Sequence, residues 1–178
     1  MSSKTTKNLI FAAFFAALTA VFTAFVKIYI PGAGGYVHLG DTLIYICASL
    51  IPLPYSICAA AIGGLFADIL AGAPIWAPAT LIIKALLVLT FTYKKDRIIC
   101  GRNIVASAAG LIITTAGYYL AEIILLTASN DYPNAAAAFT GALVSVPWNV
   151  LQAAASGILF IIAGLALDRT KIKTKLIK

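Results

Sequence analysis

Long apolar runs, parted by short Pro/Gly-rich or charged breaks, constrain this chain more than any other feature. The runs fall at about 8–30, 41–52, 54–72, 75–93, 103–128 and 137–167, and the breaks read PGAGGYVHLGD, IPLP, AGAPIWAP, KKDRIICGR and SNDYPNA. A hydrocarbon core about 30 Å thick takes roughly 20 apolar residues of helix. Charged residues make up 11% of the 178, against roughly 25% in a soluble domain. The expectation is one all-α integral membrane domain over 1–178, crossing the bilayer six times. The run at 41–52 is short, which predicts little tilt. The opening MSSKTTKNLIFAAFF has the basic start of a signal peptide, but its apolar run continues to about Ile30 without a distinct cleavage site. It is read as a first helix.

Other classes fall away on the same arithmetic. Disorder needs low hydrophobicity, whereas 62% of these residues are hydrophobic. Three cysteines without a CxxC, and a single histidine, make neither a disulfide framework nor a metal site. Structural thiols, no metal and no cofactor are expected.

The net charge of +7 reports topology. Six spans place both termini on one side, and with them Lys4, Lys7, Lys94, Lys95, Arg97, Arg102, Arg169, Lys171, Lys173, Lys175 and Lys178, which is 11 of the 13 basic residues. The positive-inside rule makes that side the cytoplasm. No nucleic-acid partner is called for. Lys27 is expected to reach the outer headgroups, which leaves Lys84 alone among the basic residues inside a span.

Apart from Asp96 and Asp168, the acids Asp41, Asp68, Glu122 and Asp131 all map to outer loops or the outer halves of spans. Lys84 lies about 12 Å down the fourth span and Glu122 about 9 Å from the end of the fifth, at 1.5 Å per residue. Ionisable groups at such depth face a bundle interior or cavity and mark function. Pairing with each other or sharing a ligand would satisfy both; a structural ion pair is the competing account. Trp76, Tyr118, Trp148, Asn149 and Gln152 reach the same outer level, and Asn149 and Gln152 share a helix face. Pro147 just before them frees a backbone carbonyl. Aromatic walls with a few placed polar groups suit a small flat heterocycle, although Trp76 and Tyr118 also suit an interfacial belt. Tyr36 and His38 stand in a glycine-rich loop able to fold over the bundle mouth, and Asp41 is placed to cap the second helix.

In the first span Ala12, Ala16, Ala20 and Ala24 recur every four residues, with Ala13 and Ala17 beside them. Small residues let helix backbones approach closely in a membrane. Packing within the bundle and docking on a separate subunit both use such a stripe.

With the stripe, the PGAGGYVHLGD loop, Gly63-Gly64-x-x-x-Asp68 and Ala73-Pro74-x-Trp76, the chain resembles over nearly its whole length the S component of an energy-coupling factor (ECF) transporter. The resemblance implies a vitamin-binding subunit of a bacterial cytoplasmic membrane, with outer loops closing over the substrate. It implies docking through Ala12, Ala13, Ala16, Ala17, Ala20 and Ala24 onto a transmembrane T component, energised by two ATPase subunits. No GxxxxGK[ST] occurs here, so ATP hydrolysis would come from the partners. YVHLGD is closest to S components linked with hydroxymethylpyrimidine, a thiamine precursor, or with pyridoxine; riboflavin and other vitamins remain alternatives. An intramembrane enzyme would need a serine motif with a histidine in a span, or clustered acids; neither is present. A self-sufficient transporter or channel would need an ion relay through the inner halves of the spans, which are nearly free of ionisable groups.

Overall fold

The computed structural model describes residues 2–29, 36–129 and 134–177. Helix α1 spans Ser3–Phe25, followed by strand β1 (Lys27–Tyr29) and strand β2 (Tyr36–His38). Then come α2 (Gly40–Leu50), α3 (Leu53–Leu70), a 3-10 turn at Pro74–Trp76 and α4 (Ala77–Leu89). The chain ends with α5 (Gly101–Ala128), α6 (Ala135–Ala142), α7 (Val146–Arg169) and α8 (Ile172–Ile177). Among the described residues four stretches are long and apolar enough to cross a membrane: Ser3–Phe25, Leu53–Leu70, Gly101–Ala128 and Ala135–Arg169. Gly40–Leu50 and Pro74–Leu89 are shorter apolar helices.

Local chemistry explains most helix ends. Ile51, preceding Pro52, is extended, which stops α2, and Pro54 and Pro78 sit in the first turns of α3 and α4, where no amide partner is lost. Gly72 takes φ +78 just after α3, a left-handed turn that favours glycine. Asn134 caps α6 by accepting from the Ala137 amide at 2.9 Å.

Two boundaries differ from those expected. The first apolar run does not stay helical to Ile30: it leaves the helix at Phe25, and Lys27, Ile28 and Tyr29 pair antiparallel with His38, Val37 and Tyr36. Isoleucine, valine and tyrosine on both sides favour that pairing. The last run is two helices, parted around Leu143–Ser145 ahead of Pro147. Lys27 also departs from expectation, since its ammonium donates to the Ala71 carbonyl at 3.3 Å.

α3 packs chiefly on α1 and α4, and α5 on α7. Adjacent glycines permit the first two contacts. A methyl group on Gly63 would stand 2.8 Å from the Ala16 carbonyl oxygen, and one on Gly64 would stand 2.9 Å from both Lys84 Cγ and Thr80 Cγ2. Buried between the helices, Tyr45 stacks on Phe91 at 4.8 Å, and Phe160 meets both rings edge-on. Ile112 and Ile124 of α5 and Ile158 and Ile162 of α7 point outward, as lipid-facing residues do. The three cysteines are free thiols.

At the end near the KKDRIICGR segment, Asn103 ties α5 to its preceding loop. Its amide group donates to Ser49 Oγ and to the Thr92 and Ile98 carbonyls at 2.9–3.1 Å, and its oxygen accepts from the Thr92 amide at 2.8 Å.

Candidate substrate site and small-residue groove

The other end of α2 holds the charged centre of the molecule. Gly40 starts the helix against α1, where a β-carbon would collide with Thr23 Oγ1. Its amide donates to His38 Nδ1 at 3.1 Å, and the His38 amide donates to Gln152 Oε1 at 3.2 Å. The His38 ring thus holds its proton on Nε2 in the neutral form. Burial pushes its pKa down from 6.5 to about 4; Asp41 partly opposes the fall and Lys84 adds to it.

One residue after Gly40, Asp41 forms an ion pair with Lys84 of α4 across 2.6 Å, with both side chains buried. Gln152 of α7 stands beside the same carboxylate. The Lys84 ammonium lies 5.1 Å from the centre of the Tyr118 ring, within cation–π range. Tyr118 also shares a hydrogen bond with Thr80 at 3.1 Å and meets Trp76 edge-on at 6.2 Å. Nearby, Thr42 reaches the Ser156 carbonyl at 3.2 Å, while the hydroxyls of Ser156 and Thr115 are buried without a hydrogen-bond partner in the described structure. Five elements converge here: β2, α2, α4, α5 and α7. The arrangement brings buried donors and acceptors beside two aromatic rings, a chemistry able to orient a flat polar ring.

The expected site residues therefore divide. His38, Lys84, Tyr118, Trp76 and Gln152 come together, with Asp41 at their centre. Asp41 does not cap α2, which has no side-chain cap; its charge is spent on Lys84. Lys84 and Glu122 do not pair. Glu122 instead accepts from Ser145, which also lies 3.5 Å from the Asn149 amide, in a second cluster beside Tyr119, whose hydroxyl donates to the Phe139 carbonyl. Trp148 is 39% exposed and joins neither cluster. The side chain of Tyr36, the glycine-rich stretch at 30–35 and Asp131 lie outside the described residues. Sequence reading missed Asp41, Thr80 and Ser156 as site groups; only Asp41 left a signal, as an acid in YVHLGD.

The alanine stripe also divides. Ala12, Ala20 and Ala24 are buried and Ala16 is partly buried, whereas Ala13 and Ala17 are exposed. Five of the six, Ala12, Ala13, Ala16, Ala17 and Ala20, nevertheless line one open apolar groove of about 640 Å³ between α1 and α3, walled on the α3 side by Cys58, Ile62, Gly63 and Phe66.

The described residues thus form a largely helical bundle, with four stretches able to cross a membrane and a buried polar centre near one end. The family described as "ECF-type riboflavin transporter, S component" matches residues 3–169, and this chain belongs to that family. The fold matches that of a solved S component of a bacterial ECF transporter, with a TM-score of 0.71 and 20% identity over 93% of this chain and 98% of the other. A relative from Pyrococcus woesei, an uncharacterised protein in the gap 3′ region, is 32% identical over 106 residues. That match takes in 59% of this chain and 71% of the relative.

Proposed function

We propose that this S component captures a small vitamin or vitamin precursor beside His38 and Trp76 and delivers it through a T component driven by two ATPase subunits. The membrane is the bacterial cytoplasmic membrane. In this reading α2 and α4 complete six crossings, and both termini face the cytoplasm. The observation that carries the proposal is the Asp41–Lys84 pair. A buried ion pair contributes little net stability over apolar residues of similar volume, so its presence beside Gln152, His38 and Tyr118 favours ligand recognition.

One Trp76–Tyr118 aromatic pair and a compact set of donors and acceptors suit a single-ring heterocycle such as hydroxymethylpyrimidine or pyridoxine. The second reading is riboflavin, favoured by the description of the matching family. The test is thermal unfolding of the detergent-purified protein with each compound in turn. At 100 times Kd a ligand of the folded state adds about 2.7 kcal/mol. A selective shift with a single-ring compound, reduced in Gln152→Ala, is the expected result; a shift with riboflavin alone transfers the substrate to the second reading. No shift with any compound, from folded protein, removes both.

For docking, the proposed face is the groove lined by Ala12, Ala13, Ala16, Ala17 and Ala20 with the flank of α3, of which Ala13 and Ala17 are the exposed members. Ala17→Leu is expected to cut uptake at least tenfold in cells carrying the T component and ATPases, and to leave the ligand-induced shift of the isolated protein unchanged. Unaltered uptake would remove this face from the docking account.

A further inference from the structure

At the end of the bundle opposite the Asp41–Lys84 pair, a pocket of about 620 Å³ opens between the α4–α5 connection, the end of α7 and α8. The chain reverses there at Lys171, which takes φ 54, and α8 turns back so that Lys173 is buried at 1% exposure. Four cationic side chains line the pocket, Arg97, Arg169, Lys171 and Lys173, against two carboxylates. One of these, Asp168, is already committed: its two oxygens accept from the Ile98 and Ile99 amides at 2.7 and 3.0 Å. The other, Asp96, is exposed. Among the described residues Lys173 makes one long hydrogen bond, to the Arg97 carbonyl at 3.4 Å, which leaves two of its three donors without a partner there. Burial draws its pKa down, and an anion in the pocket would restore it. Ile99, Leu165 and Thr174 complete the lining.

A cavity whose lining joins four cationic side chains to the apolar Ile99 and Leu165, near helix ends, matches the amphipathy of a phospholipid. Basic pockets between helix ends at a membrane face hold anionic headgroups in this way. We propose that this pocket binds a phosphate group, and that its source is an anionic lipid whose acyl chain lies along Ile99 and Leu165.

The test uses the purified full-length chain in detergent and reads its unfolding temperature with phosphatidylglycerol, with phosphatidylcholine and with inorganic phosphate. Phosphatidylglycerol is expected to raise the midpoint several degrees more than phosphatidylcholine. The double variant Arg169→Gln/Lys171→Gln, whose side chains are exposed and whose fold should persist, is expected to lose at least half of that difference. Lys84 and the outer cluster are untouched, so ligand binding there is expected to be unchanged. Stabilisation by millimolar phosphate that disappears in the double variant, without preference between the lipids, would keep the phosphate site and assign it to a free anion. Equal responses to both lipids with none to phosphate would overturn the proposal. So would a phosphatidylglycerol preference that survives in the double variant, or one that falls equally in Lys94→Gln/Lys95→Gln, outside the pocket.

Discussion

The two ends of α2 solve the burial of polar groups in opposite ways. At one end Asn103 meets Ser49 with neutral hydrogen bonds, and every amide position has a partner within 3.1 Å. At the other, Asp41 meets Lys84 with full charges, beside a Ser156 hydroxyl that has no partner in the described structure. A satisfied neutral network rigidifies a fold. A charged cluster with unspent hydrogen-bonding capacity is poor economy for a structural element, and it suits a group that waits for a ligand.

The largest expected effect separates these roles. Lys84→Met leaves Asp41 charged and buried, and should cost about 3–5 kcal/mol of stability, read from thermal unfolding in detergent. Asp41→Asn combined with Lys84→Met should recover most of that loss without recovering ligand binding. Binding at wild-type affinity in the double variant would make the ion pair a structural device, and the contrast between the ends would collapse.

Next comes pH. His38 titrates at about 4 in the folded protein against about 6.5 when unfolded, so the folded state binds the fewer protons in that window. Its contribution is fully present above about pH 6.5 and declines as pH falls, by up to about 3 kcal/mol below pH 4. His38→Asn should flatten the unfolding temperature between pH 6.5 and 4.5. An unchanged slope would show that other groups carry it.

The smallest effects come as a matched pair. Asn103→Ala should lose about 2–3 kcal/mol of stability, at roughly 0.5–0.75 kcal/mol for each of its four hydrogen bonds, with ligand affinity held within about twofold. Gln152→Ala should cost roughly 1–3 kcal/mol of ligand affinity, measured by calorimetry with whichever compound stabilises the protein. If Asn103→Ala weakens the ligand as much as Gln152→Ala does, the two ends are not separate.

Hydropathy made most helices legible, because the length of an apolar run and the prolines at its ends carry that information along one dimension. It failed where the apolar character continued through a change of structure. Lys27 to Tyr29 reads as more helix, yet pairs as a strand with Tyr36–His38; Leu143–Ser145 reads as mid-span, yet forms the break between α6 and α7. Depth along a helix was also legible, which is why Lys84 and Glu122 stood out. Azimuth was not. Two groups at similar depth can face different neighbours, and Lys84 turns to Asp41 while Glu122 turns to Ser145. The same ambiguity hid which alanine row packs inward: spacing marks a stripe, and only the position of α3 decides that Ala12 lies beneath it and Ala17 outside.

Gly63 and Gly64 make α3 a party wall. One glycine abuts the α1 backbone at Ala16 and the next abuts the stem of Lys84, with no side chain to cushion either contact. A load applied to α1 from the groove side therefore crosses a single bare helix before it meets the lysine that holds Asp41. The apolar groove and the buried ion pair thus stand on opposite sides of one helix, at its two bare residues.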